Sequence, residues 1–167
     1  AFVDWGEKHQ AYIVGHTLVW HQQTPKWVFQ NEQGDSLDSA SLASRMQHHI
    51  ETVMGRYAGR IHAWDVVNEA FEDDGTWRKS PWFTILGEGF IEMAFRKAQQ
   101  IDPNAVLIYN DYNVWKPEKR AAILEMAKNL RAKGVKIDAI GMQGHYRLGF
   151  PSLAQIEKAI ADIHEAG

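Results

Sequence analysis

Ile61-His62-Ala63-Trp64-Asp65-Val66-Val67-Asn68-Glu69 is a short run of β-branched and aromatic residues that ends abruptly in an amide and an acid. Such a run suits a strand whose faces are covered by helices. Tyr12-Ile13-Val14, Ala105 to Tyr109 and Ile137 to Gly141 share its character. Helical patterns fill the intervals. Leu42, Met46, Ile50, Val53 and Tyr57 recur at spacings of three and four, which is one face of an amphipathic helix. Phe83, Leu86, Phe90, Ala94, Phe95 and Ala98 predict a second helix, with Ser80 as N-cap and Pro81 in the first turn, where its missing N–H is harmless. This helix is expected to stop before Asp102-Pro103, because proline disfavours helical geometry in the residue before it. A third runs from Pro117 through Ala121, Leu124, Ala127 and Leu130 to Gly134; a fourth opens on the capping-box pattern Ser152-Leu153-Ala154-Gln155. Phe2 to Gln10 reads as the tail of a fifth.

Strand and helix therefore alternate, which predicts an α/β fold with a parallel sheet and right-handed crossovers. A doubly wound sheet and a (β/α)8 barrel both fit. The first would want a glycine-rich phosphate turn after its first strand, and no G-x-G-x-x-G occurs. The second would place polar residues at the C-terminal ends of successive strands. That pattern is present: Gly15-His16, Asn68-Glu69, Asn110-Asp111-Tyr112-Asn113 and Gln143-Gly144-His145 each follow an apolar run.

Composition excludes other classes. Eighteen Lys and Arg face 21 Asp and Glu, for a formal net charge of -3, and no basic block offers a nucleic acid or an anionic membrane its usual counter-charge. No apolar run approaches the ~20 residues of a membrane-spanning helix. The absence of cysteine removes disulfides, thiolate metal sites and thiol nucleophiles. Seven tryptophans are in excess; their flat rings suit the C–H faces of sugars. Trp20 and Trp27 bracket a long loop of the kind that lines barrel sites. Trp64, inside a strand, reads as core, and Trp82 as helix packing. The chain opens at Ala1 without Met or a signal-peptide pattern, so its true start is expected elsewhere.

Glu69 is the sharpest candidate, since a carboxyl group withdrawn from water beside an amide is a setting for proton donation. Asn68 could bond a substrate hydroxyl or close the turn. His16 could do the same or sit bonded to backbone. Gln143 and His145 face a site together only if the strand ends there. No metal is expected: neither H-x-H nor H-E-x-x-H places ligands together. His48-His49 lies within a helix, and Glu72-Asp73-Asp74 reads as a solvated loop.

Taken in order, these segments resemble a known family. Gly15-His16-Thr17-Leu18-Val19-Trp20-His21 with Gln23-Thr24-Pro25 and Trp27, Trp64 to Ala70, Asn110 to Asn113, and Gly141 to Tyr146 together are similar to the signatures of family 10 glycoside hydrolases, the endo-β-1,4-xylanases. The resemblance implies a (β/α)8 barrel that hydrolyses xylan with retention of configuration and without a cofactor. It implies Glu69 as general acid/base and Asn68 as a contact to the sugar 2-hydroxyl. His16, Trp20 and Gln23 fall on the glycone side, with Trp20 in the floor. Asn110, Tyr112 and Asn113 fall on the aglycone side, and Gln143 with His145 holds the nucleophilic carboxylate. Gln22 and Gly89-Phe90 depart from the frequent Ser and Asp-Tyr without touching these assignments.

Retention needs a second carboxyl group about 5–5.5 Å from the first. The family's nucleophile follows the seventh strand, beyond Gly167. Residues 1–167 are thus expected to be strands 3–6 of an incomplete barrel lacking the first two and last two strands, and inactive alone. Asp111 is disfavoured as a substitute, because it lies on the strand next to Glu69 whereas the family's partner lies across the barrel. By the resemblance the enzyme is secreted, and the two open sheet edges invite self-association. A relative acting on β-glucan or mannan and a non-catalytic xylan-binding half barrel are the alternative readings.

Overall fold

The computed structural model describes residues 1–167. The elements, in order, are α1 (Phe2–Lys8), β1 (Val14–Val19), α2 (Ser39–Arg56), β2 (Ala63–Asn68), α3 (Pro81–Leu86), α4 (Gly89–Ile101), β3 (Val106–Tyr112), α5 (Pro117–Ala132), β4 (Ala139–Gln143) and α6 (Leu153–Glu165). The four strands form one parallel sheet in the order β1-β2-β3-β4. Sequential order in a parallel sheet, with a helix after each strand, is the arrangement of a (β/α)8 barrel, of which this chain is a part. No helix is long and apolar enough to cross a membrane.

Every residue of β2 is buried. Over one face of the sheet pack Leu42, Met46, Ile50 and Met54 of α2, which lies against β1 and α4, and Phe90, Ile91, Ala94, Phe95 and Ala98 of α4, which lies against β2, all buried. Burying such side chains contributes about 1.5–3 kcal/mol for each large one, so this layer fixes the sheet's position. Side-chain caps open the helices at Ser80 and Ser152, where the sequence predicts them, and also at Asp38. Asp38 accepts from Ser41 N at 2.7 Å, Ser80 from Phe83 N at 3.2 Å, and Ser152 and Gln155 form the expected reciprocal box.

Two expectations need correction. The helix predicted from Ser80 to Asp102 is two helices, separated at Gly87, whose φ of 67° is the left-handed geometry that glycine adopts freely. Phe83, Leu86 and Phe90 keep their apolar spacing across the break, so periodicity alone does not see it. The first strand lies later than Tyr12–Val14. Tyr12 is exposed and stacks on His62 at 4.8 Å, outside the sheet. The strand instead runs through Gly15 and His16. A β-carbon at Gly15 would stand 2.2 Å from the Trp64 ring, so the glycine makes room for an indole on β2. His16, Asn68, Asn110, Tyr112 and Gln143 are accordingly strand residues, not loop residues that follow strands.

Gly15→Ala is therefore expected to destabilise the fold by about 1–3 kcal/mol, the usual range for overpacking. It should appear as a lower urea midpoint at unchanged slope. Gly89→Ala, at a helix start with nothing near its β-carbon position, should leave the midpoint unchanged or raise it.

Candidate active site

Strand β2 ends at Asn68, and the chain turns at Glu69 with φ of 58°, a left-handed geometry uncommon outside glycine. Three bonds hold this turn. Glu69 N donates to Asn110 O at 2.9 Å, Arg78 Nε donates to Glu69 O at 2.9 Å, and Ala70 N donates to the Tyr109 hydroxyl at 2.9 Å. The Glu69 side chain is thereby aimed over the sheet's C-terminal edge while the residue stays only 8% exposed. Its carboxylate accepts from Trp20 Nε1 at 3.0 Å and from Gln143 Nε2 at 3.1 Å. Neutral donors, one just past β1 and one at the end of β4, thus hold the group without a cation.

Asn68 accepts from Asn110 Nδ2 at 2.9 Å and from Gln143 Nε2 at 3.0 Å. Gln143 Oε1 lies 3.0 Å from His145 Nε2. Trp20, Asn68, Glu69, Asn110, Gln143 and His145 are therefore one connected polar network at the rim. Close approach of strands β3 and β4 allows it: a β-carbon at Gly141 would lie 2.4 Å from Asn110 Oδ1.

The other predicted residues flank this centre. His16 bonds Asp65 through Nδ1 at 2.8 Å and sets its ring edge-on to Trp20. His16, Trp20 and Gln23 share a cleft of about 490 Å³ whose far wall includes Arg45 and His49 of α2. The buried Trp82 donates from Nε1 to Trp20 O at 2.9 Å and Thr24 Oγ1 donates to it at 2.7 Å, which fixes the backbone beneath that indole. On the opposite flank Arg78 donates to the Tyr112 hydroxyl at 2.7 Å. Asn113 spends its amide on Asp73 and receives Trp115 Nε1 at 3.3 Å, so its side chain stays apart from the network around Glu69.

The acidic run is divided among local partners: Glu72 pairs with Arg78, Asp73 with Lys116, and Asp74 accepts from Thr76. No three His, Asp or Glu side chains are grouped to hold a metal ion. Although burial pushes the Asp73 carboxyl upward, bonds from Lys116 and Asn113 hold it below its ordinary value. Burial pushes the Asp111 carboxyl up, and Lys119 opposes the shift without cancelling it. Asp111 is fully buried, ion-paired with Lys119 at 2.7 Å, and on the face of β3 opposite Asn110 and Tyr112. It is removed from the cleft.

Sequence reasoning missed Arg78, Asp65 and Tyr109. Asp65 carried a signal, being an acid inside an otherwise apolar strand. Arg78 lies in a loop without periodicity, and Tyr109 looks like any core aromatic until its hydroxyl is placed.

The family model for glycosyl hydrolase family 10 matches residues 1–167. The chain belongs to this family. It is 46% identical over 165 residues to endo-1,4-beta-xylanase A of Xylanibacter ruminicola, covering 99% of this chain and 45% of that protein. It is 51% identical over 150 residues to an endo-1,4-beta-xylanase of Geobacillus stearothermophilus, covering 89% and 46%. Among solved structures, a family 10 endoxylanase from a sugarcane soil metagenome superposes with a TM-score of 0.97 at 55% identity, over 99% of this chain and 49% of that one. Xylanase 10B of Thermotoga petrophila, solved with xylobiose, superposes at 0.91 and 37% identity, over 99% and 50%. The chain thus spans about half the length of these family 10 relatives.

In this family 10 segment His21 sets its ring edge-on to Trp20, with centroids 6.1 Å apart. Burial first, and the Arg78 guanidinium second, hold its imidazole below the ordinary value, and its Nδ1 meets no hydrogen-bond partner. The unfolded chain therefore takes up this proton first, near the ordinary histidine value of about 6.5. Stability is expected to fall as pH drops through that value, and to stop falling for this group below its folded pKa. Urea midpoints between pH 7.5 and about 5 should decline less steeply in His21→Gln than in the parent.

Proposed function

We propose that the protein carrying this segment is a retaining endo-1,4-β-xylanase in which Glu69 is the general acid/base. The observation that carries the reading is the placement of one nearly buried carboxyl group at the end of β2, with Trp20 and Gln143 donating to its two oxygens and Asn68 beside it. Names borne by the family 10 relatives support xylan as the substrate class. In this reading residues 1–167 are strands 3–6 of the barrel, and the first two and last two strands belong to the rest of the polypeptide.

The chemistry follows from two carboxyl groups. A nucleophilic carboxylate outside this segment attacks the anomeric carbon. Glu69 delivers its proton to the glycosidic oxygen as that bond breaks, and the aglycone leaves as an alcohol. Glu69, now ionised, takes a proton from water as the water attacks the glycosyl–enzyme ester. The product keeps its configuration. Asp111 has no part in this, because its oxygens are committed to Lys119, Tyr109 and Tyr112 N on the helix-facing side. Asn68 stands where it can bond the 2-hydroxyl of the sugar next to the scissile bond. Trp20, His16 and Gln23 receive the glycone, and Asn110, Tyr112 and Asn113 the aglycone. With no cysteine, metal or organic cofactor required, binding and two carboxyl groups suffice. A polymer too large to enter a cell places the action outside it.

In the full-length enzyme, Glu69→Ala should reduce kcat/KM on xylan by about 100- to 10,000-fold, the range for losing a general acid. On dinitrophenyl β-xylobioside, whose leaving group needs no proton, kcat/KM should stay within about 10-fold of the parent. Equal loss on both substrates would contradict the role. Residues 1–167 alone should release no reducing sugar from xylan, and turnover by this piece would place the nucleophile within it.

A further inference from the structure

Three polar side chains on the helix-facing side of β3 are fully buried where apolar packing would be the simpler choice: Tyr109, Asp111 and Lys119. They form a chain of contacts. Lys119 Nζ lies 2.7 Å from Asp111 Oδ1 and 3.7 Å from the centre of the Tyr112 ring. Asp111 Oδ2 accepts from the Tyr109 hydroxyl at 2.6 Å, and Asp111 Oδ1 accepts from Tyr112 N at 2.8 Å. The Tyr109 hydroxyl in turn accepts from Ala70 N at 2.9 Å. That last bond is made to the residue after Glu69, whose backbone is in the left-handed region.

Left-handed backbone at a residue with a side chain persists only when its surroundings over-determine it. At Glu69 two restraints are direct: Glu69 N to Asn110 O and Arg78 Nε to Glu69 O. The third, at Ala70 N, depends on a hydroxyl whose lone pairs must be turned towards that N–H. Donating its proton to Asp111 turns them there, and Lys119 keeps Asp111 an acceptor. A buried ion pair is weak grounds for stability in itself, so its presence behind the candidate acid calls for another reason.

We propose that Tyr109, Asp111 and Lys119 are positioning residues that set the direction of the Glu69 carboxyl group from the far side of the sheet. The proposal rests on Glu69 being the acid/base. Losing the Tyr109 hydroxyl releases Ala70 N and lets the turn relax, so that the carboxyl group no longer meets the glycosidic oxygen in line. Tyr109→Phe leaves the bond from Tyr112 N to Asp111 and the Lys119 contact with the Tyr112 ring in place, so substrate binding on either side of the scissile bond should hold in that variant.

The test is Tyr109→Phe in the full-length enzyme, assayed below its measured melting temperature, beside the parent and Glu69→Ala. Tyr109→Phe should lower kcat/KM on xylan by about 10- to 100-fold, the scale of a small misplacement of a catalytic group. It should change kcat/KM on dinitrophenyl β-xylobioside by less than about 3-fold, with KM for xylo-oligosaccharides unchanged. Lys119→Met, which keeps the Tyr109 hydroxyl but frees Asp111, should show the same substrate selectivity at smaller amplitude. Equal loss on the two substrates, or no loss on xylan, overturns the proposal. Failure of both variants to fold also overturns it, by marking the three residues as a folding requirement. If Glu69→Ala itself lacks the leaving-group selectivity, the acid/base reading falls. If Glu69→Ala shows it and Tyr109→Phe does not, only the positioning role falls.

Discussion

A carboxyl group proposed to hand over a proton must be withdrawn from water and still point at a substrate, and in the reading proposed above both demands fall on Glu69. Burial comes cheaply at the end of β2, the strand with no exposed residue. Direction does not, because a regular strand continuation would carry the side chain along the sheet. The left-handed backbone at Glu69 turns it out, and bonds from Asn110, Arg78 and Tyr109 stop that turn from relaxing. Much of the rim can be traced to this constraint: Trp20 and Gln143 occupy the carboxyl oxygens, Asn68 and Asn110 tie β2 to β3, and His145 braces Gln143.

Strand β3 serves two faces because successive side chains point to opposite sides. Asn110 and Tyr112 stand on the cleft side, and Tyr109 and Asp111 stand on the helix side, buried under α4 and α5. Asn110-Asp111-Tyr112-Asn113 read as one motif is therefore two sets of residues with different environments. Asp111 meets Lys119 and never the cleft, while Tyr112 takes Arg78 on its hydroxyl and Lys119 against its ring. Pairing the buried acid with a buried ammonium also answers the desolvation that burial imposes on both.

At the edge of the sheet, partners on β2 explain why β1 lies later than its apolar run suggests. A glycine followed by a histidine has the appearance of a strand end. In the folded chain Gly15 admits the Trp64 ring and His16 finds Asp65 across the pair, so both belong to the strand. The reason lies on β2, and no window of sequence around residue 15 contains it. The break at Gly87 was hidden for the opposite cause: its neighbours keep perfect apolar phase, and only the backbone angle records the interruption.

The order of elements, the parallel sheet, the helix caps at Ser80 and Ser152 and the place of Glu69 just past a buried strand were legible in the residues, because apolar periodicity, capping chemistry and an acid after an apolar run are local properties. The resemblance to family 10 could likewise be drawn from linear motifs. What needed three dimensions was each choice between two faces or two partners: Asp111 turned to the helices, Gln143 reaching Asn68 and Glu69, Asn113 occupied by Asp73, Arg78 gripping the carbonyl of Glu69. The choices of Gln143 and Asn113 join groups 40 to 75 residues apart at distances near 3 Å, those of Arg78 and Asp111 depend on which way the backbone turns between near neighbours, and short-range sequence carries no measure of either.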